Sequence, residues 1–246
     1  MNNGLQTIID LAESIQFDRR NVVGIQYTRS EIPIVSETPT RNAWKINVTI
    51  KASMPYNGTV RINNADLSVR ELLENIDDLD RRKPDLITFS NNPGLAYIGA
   101  YRGQLSQAQL NNLTVVSFNG DVLVLSGLPT TTVFQSTNFC FKSGDFIQIG
   151  TGTTYPYPFT VVGNVTRGVD DTITIRTHRP NFIRNSIVGQ NITVGNKVYF
   201  KVLCINMPVY TLQPGATQRD SSGFITNNAY IQWSDTFKLY EWTGEA

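Results

Sequence analysis

Trp44-Lys45-Ile46-Asn47-Val48-Thr49-Ile50-Lys51 decides the fold class. Its apolar residues recur at every second position with Lys, Asn and Thr between them, the period of a strand with one buried face. Pro55 and Asn57-Gly58 end the run with turn chemistry. Downstream, the chain supplies further strands. Val115–Phe118 and Val122–Leu125 flank Asn119-Gly120-Asp121, and Asn-Gly between two apolar runs signals a hairpin. Phe139–Phe141, Phe146–Ile149 and the stretch from Tyr155 to Val162 follow, the last with early prolines that keep it at a sheet edge. Thr172–Thr177 alternates, Val198–Ile205 is apolar on both faces, and Tyr230–Trp233 and Phe237–Trp242 are aromatic strands. Short strands at about ten-residue spacing with turns between them predict a mainly β (α+β) chain built as a β-barrel or β-sandwich.

Helical periodicity is confined to two places. Leu5, Ile8, Ile9, Ala12 and Ile15 predict an amphipathic helix over 5–16, marginal alone and therefore in need of a surface on this chain or a neighbour. Leu72, Leu73, Ile76 and Leu79 predict a second helix over 69–79, with Ser68 and Glu71 spaced as a capping box and Pro84 beyond its end. Ser106 to Leu113 adds a turn or two. Between the first helix and the Trp44 strand, 17–40 reads as an extended arm with one strand at 22–27. Gly127, Pro129 and Thr130–Thr132 form a joint. The chain thus divides into 1–40, an N-terminal helix and arm; 41–128, an α+β half; and 129–246, a β-rich half, the last two also readable as one domain.

Composition narrows the chemistry. The 246 residues carry 21 Lys+Arg against 20 Asp+Glu, so no basic patch argues for specific nucleic-acid binding. Two cysteines, Cys140 and Cys204, make neither a disulfide framework nor a Cys-rich zinc site. No apolar run is long enough for a membrane-spanning helix, and the first residues have neither the basic region nor the apolar core of a signal peptide. Asn (23) and Thr (26) are abundant enough to generate the Asn-X-Thr triplets at Asn47, Asn57, Asn112, Asn164 and Asn191 by chance.

No catalytic constellation emerges. His178, the single histidine, ends a strand with no nucleophile marked near it, so it reads as a hydrogen-bonded structural residue rather than a general base. Asp145, Asp170 and Asp171 could supply a glycosidase pair, but each sits where a turn needs a short acceptor. Gly150-Thr151-Gly152-Thr153 lacks the lysine and the following helix of a phosphate loop. Tyr155, Tyr157, Phe159, Tyr230, Trp233, Tyr240 and Trp242 either stack on sugars or, more simply, pack the sheets. The chain therefore reads as a non-enzyme without cofactor or metal.

Several phrases carry a resemblance. Phe141-Lys142-Ser143-Gly144-Asp145-Phe146-Ile147-Gln148-Ile149-Gly150, then Tyr155-Pro156-Tyr157-Pro158-Phe159-Thr160, resemble virion structural proteins of contractile-tailed bacteriophages, in particular tail and baseplate proteins of phages of marine cyanobacteria. Thr177-His178-Arg179-Pro180, the run from Asn206 to Gly215, Asn228–Ile231 and Phe237–Trp242 do the same, so the resemblance spans about residues 40–246. It implies a ring component at the junction of baseplate and tail tube, like a tube initiator or cap, with a body of tail-tube type. It further implies copies of itself and other tail tube and baseplate proteins as partners, manufacture in the host cytoplasm, residence in the virion and a lumen through which the genome passes. It implies no catalytic residues. Leu5, Ile8, Ile9, Ile15, Ile32 and Ile34 are the expected inter-subunit contacts, and a carbohydrate-binding module of a tail fibre or receptor-binding protein is the alternative.

Overall fold

The computed structural model describes residues 4–18, 23–27, 33–37, 43–62, 65–131, 133–135, 137–167, 171–215, 221–222 and 229–244, with 23–27 and 33–37 as backbone only. The chain is mainly β with few helices. Its first part runs α1 (Gly4–Asp10), β1 (Ala12–Asp18), β2 (Val23–Tyr27), β3 (Pro33–Glu37), β4 (Lys45–Ile50), β5 (Met54–Pro55), β6 (Thr59–Ile62), β7 (Ala65–Ser68), α2 (Val69–Asp77) and β8 (Asp85–Ile87). The middle holds α3 (Gln107–Asn111), β9 (Thr114–Asn119), β10 (Val122–Ser126), β11 (Phe139–Phe141), β12 (Phe146–Ile149), β13 (Phe159–Thr160), β14 (Val165–Thr166), β15 (Ile173–Arg176) and β16 (Ile192–Val194). The last part is β17 (Phe200–Asn206), β18 (Tyr210–Pro214), β19 (Ala229–Trp233) and β20 (Phe237–Glu241).

The Trp44 stretch forms β4 as its alternation requires, and sits inside an antiparallel five-stranded sheet of order β1-β4-β20-β17-β8. Two C-terminal strands therefore lie between N-terminal ones, and the ends of the chain build one body. Ile46, Val48 and Ile50, with Phe237 and Leu239 and with Phe200, Val202 and Cys204, line the buried face. The helix α1 lies against β4 and β8 on that side, and α2 packs on α1. Their approach is close: a Cβ on Gly4 would run into the Asn75 carbonyl oxygen.

The helix expected over 5–16 stops at Asp10, and residues 12–18 are a strand instead. Two forces decide this. The Asn92 side chain donates to the carbonyls of Ile9 (3.0 Å) and Asp10 (3.3 Å), satisfying acceptors that a longer helix would have bonded itself. Beyond it, Ile15 and Phe17 stand opposite Val48 and Ile46 in the β4 ladder, where period two serves burial better than a marginal helix. The arm is likewise not a single strand but a hairpin, β2 pairing with β3.

The helix expected over 69–79 runs from Val69 to Asp77 and buries Val69, Leu72, Leu73 and Ile76. Its capping box does not form. Ser68 closes the β6–β7 hairpin opposite Thr59, and the Val69 N–H donates to Gly58 O, so the backbone at this helix start is already engaged. The box forms at α3, where Ser106 Oγ accepts from Gln109 N (3.3 Å) and Gln109 Oε1 accepts from Ser106 N (2.8 Å). The expected hairpin at 115–125 is present as β9–β10, with Gly120 and Asp121 between paired Asn119 and Val122 and only Gly120 at positive φ (56°), the pattern of a type II′ turn.

A second core fills residues 105–194. Leu113, Val115, Leu123, Ile147, Phe159 and Ile175 lie at its centre, inside sheets ordered β15-β10-β9, β13-β12-β16 and β11-β14. Single bridges, Thr114 to Asn191 and Val161 to Thr177, stitch sheet edges together, but no sheet of the described residues closes into a barrel. The cores do not part near residue 129. Residues 5–98 and 198–239 share the first, joined by Phe146, and the rest of the buried apolar residues of 105–194 form the second, because β17 and β20 are held in the N-terminal sheet. The two aromatic strands of the tail also separate, β19 joining β18 and β5 while β20 enters the large sheet.

The two cores meet on a buried ion pair. Arg179, just after β15, donates to Glu241, the last residue of β20, through both Nη1 (2.5 Å to Oε2) and Nη2 (2.7 Å to Oε1), and both side chains are 0% exposed. Arg179 Nη2 also donates to Pro158 O (2.9 Å), and Trp44 donates its backbone N–H to Glu241 Oε2 (3.0 Å) and its indole N–H to Pro158 O (3.2 Å). The guanidinium stacks near Phe159 and Phe182, with ring centroids 5.0 and 4.7 Å away. Removing one charge strands the other in a dry site, so Glu241→Gln or Arg179→Met should destabilise the fold by about 3–5 kcal/mol. The double variant Arg179→Met/Glu241→Leu should recover part of that loss, and a double-mutant cycle by urea denaturation measures it; additive single effects would refute the coupling.

Candidate assembly surface

The five-stranded sheet has a second face. Register puts Lys45, Tyr240 and Leu203 in one row across β4, β20 and β17, Asn47 and Lys238 in the next, and Lys201 beside Leu86 in a third. These side chains are half-buried, as expected where neighbours on a strand shade one another without a covering layer. Ile205 is 55% exposed and Trp242 37%. Both α1 and α2 lie on the other side, and α3 packs on β16 in the second core. Lys45 Nζ lies 5.9 Å from the Tyr240 ring, Asn47 Nδ2 donates to Gln16 Oε1 (3.4 Å), and Lys238 pairs weakly with Asp235 at 3.9 Å. At one end, Leu86, Tyr155, Pro156, Asn185 and Lys201 border a cleft of about 240 Å³.

The β2–β3 hairpin is one of three two-stranded sheets, with β6–β7 and β11–β14, among the described residues. Its strands pair from Val23–Glu37 to Tyr27–Pro33 and, among the described residues, join no other sheet. The far edge of the large sheet is treated differently. Gln6 reaches from α1 and both accepts from Thr88 N (2.9 Å) and donates to Thr88 O (3.0 Å), so a side-chain amide takes the place of a strand just past β8.

The residues expected at subunit contacts separate. Leu5, Ile8 and Ile9 are 1%, 0% and 0% exposed within the chain's own core, so α1 docks on this chain, and its apolar stripe offers a neighbour nothing. Ile15 is half-buried on β1 against the same core. Ile34 lies on β3 opposite Gln26, and Ile32 lies outside the described residues. The second sheet face was missed because its residues look like the ordinary polar side of a strand; only the pairing register shows which of them share it.

Of the candidate chemical residues, His178 and Asp145 are engaged in structure, and Asp171 is exposed. His178 Nδ1 accepts from Thr160 N (2.9 Å), and its ring lies 5.1 Å from Trp44 at the junction of the cores. Asp145 is buried and accepts from Arg102 N (3.0 Å) and Lys142 N (2.8 Å), the turn role its position implies. Asp170 lies outside the described residues. Among those described, no three His, Cys, Asp or Glu side chains gather as a metal site. The aromatic residues form no common platform: Tyr157 and Phe159 are buried in the second core, Trp233 packs edge-on against Tyr210 and Phe237, and Tyr240 and Trp242 belong to the open face.

Burial pushes the thiols of Cys140 and Cys204 up to about 11. Being raised above the unfolded value, they favour the fold's neutral form, and stability should fall as pH rises from the ordinary thiol range toward about 11. At pH 8 both should resist a thiol-reactive dye in the folded chain and react together on unfolding; rapid labelling of either under native conditions would contradict this. No protein-family model matches the sequence, and neither does any curated protein.

Proposed function

We propose that the chain is a structural component of a phage contractile tail that forms a ring at the junction of baseplate and tail tube, in the manner of a tube initiator or cap. The observation that carries the reading is the β2–β3 ribbon. Among the described residues its two strands pair with no third, a two-stranded hairpin alone is marginal in water, and a neighbouring subunit is a natural way to stabilise it. The rest of the body is well specified: two packed cores locked by a buried ion pair, with His178 and Asp145 held in hydrogen bonds at a junction and a turn. Such a division between a finished body and an unfinished ribbon suits a subunit whose work is assembly. The phrase resemblance across about residues 40–246 supports the tail as the place of that work, and a body of tail-tube type as its architecture.

The full chain should therefore form closed oligomers visible by negative-stain microscopy. Replacing residues 23–37 by a Gly/Ser linker should abolish them while leaving the melting transition of the body within a few degrees. Oligomers that persist without the ribbon, or a wild-type chain that never associates, would overturn the reading.

A further inference from the structure

The ring reading leaves open which surfaces meet, and the charges answer it. The exposed residues of α2 and its C-cap are Arg70, Glu71, Glu74, Asp77 and Asp78, four carboxylates against one cation along about 12 Å of helix. Across the molecule, the open sheet face carries Lys45, Lys201 and Lys238. From strand spacing, Lys238 lies about 8 Å from Lys45, and Lys201 about 12 Å from it. Two carboxylates lie beside these lysines: Asp18 on β1 is the register partner of Lys45, and Asp235, in the turn before β20, is 3.9 Å from Lys238. Between the lysines lie Tyr240 and Leu203, which give an approaching helix apolar area as well as charge.

Resting on the ring reading, we infer that the acidic stripe of α2 in one copy docks on the lysine-bearing face of the five-stranded sheet in the next. The two charge sets extend over comparable lengths, about 12–14 Å, and the helix side is net negative where the sheet side carries three lysines. Layer order fixes the geometry. Because α2 lies on the helical side of the sheet, its outer stripe and the open sheet face look in opposite directions. One copy can then use both surfaces at once, a head-to-tail contact that closes into a ring when the rotation per subunit allows. Solvent-accessible ion pairs at such a contact set register and orientation more than bulk affinity, and the contact weakens as salt rises.

Two full-length variants test the pairing. In one, Lys45→Glu/Lys238→Glu reverses the sheet face; in the other, Glu74→Lys/Asp78→Lys reverses the helix stripe. Each alone presents like charges at every contact, and sedimentation velocity should show self-association weakened about tenfold or more, with near-UV circular dichroism unchanged. Mixed in equal amounts, the two should recover assembly, since every contact in an alternating chain is then complementary. Variants that assemble as the wild type does overturn this interface and leave the ring reading standing. A mixture of folded, monomeric variants that fails to recover assembly also overturns the interface. A wild-type chain that never associates overturns the ring reading and the interface together.

Discussion

A guanidinium and a carboxylate, both fully excluded from water, meet where the two cores touch. Neither charge could be buried alone at tolerable free energy, so each fixes the position of the other. Glu241 ends β20, which is hydrogen-bonded on both sides within the five-stranded sheet; Arg179 follows β15, which belongs to the second core. The bidentate geometry admits one orientation, and Pro158 O and the Trp44 backbone N–H each add a further hydrogen bond to the pair. Around it, Trp44, Phe146 and Phe200 pack with centroids 5.7–6.0 Å apart, drawing one residue from each part of the chain into the seam. The pair thus does for orientation what apolar packing alone does poorly: it converts contact between two cores into a single arrangement.

The topology makes that seam necessary. With β17 and β20 between β4 and β8, the middle of the chain leaves the first core near residue 98 and returns near 198. Two crossings bind the second core to the first, and a body attached at two closely placed points could still rock about them. The ion pair and the aromatic cluster oppose that motion. On the proposed ring reading this stiffness matters, since a loose seam would spread the positions of the surfaces on either side.

Local chemistry was the part of the fold most legible in the sequence. The alternation in 45–50, the Asn119-Gly120 hairpin, the apolar stripe of α2 and the edge position of 159–160 after two prolines each depend on a few adjacent residues. What could not be read depends on distant ones. The helix of residues 4–10 stops early because Asn92 reaches its carbonyls and β4 offers Ile15 and Phe17 a ladder, neither of which leaves a mark within 5–16. Ser68 fails as a cap because its backbone is committed to a hairpin, while Ser106, with the same spacing to its partner, succeeds in an exposed loop. Arg179 and Glu241 are 62 residues apart and look like two surface charges until the fold brings them together. The division near residue 129 failed for the same reason: turn residues mark a joint in the chain, but strand order decides which segments share a core.

The assembly surface follows the same logic at the next level. Leu5, Ile8 and Ile9 had the pattern of a sticky helix face, and the chain consumed it internally, so apolarity in sequence was no guide to what a neighbour meets. The surfaces left over are a mixed sheet face and a ribbon without a sheet, both moderate in polarity. On the proposed ring reading, that suits a chain that stays dispersed until copies meet. A large apolar patch would aggregate, whereas lysines, asparagines and a few rings hold water until a partner of matching charge displaces it. The edge beyond β8 sharpens the contrast: there Gln6 occupies the backbone of Thr88 from within, closing one route to strand addition, while the ribbon of residues 23–37 is left open. Closing one edge and leaving another incomplete restricts how copies can add, and restriction of that kind separates an ordered ring from an indefinite sheet.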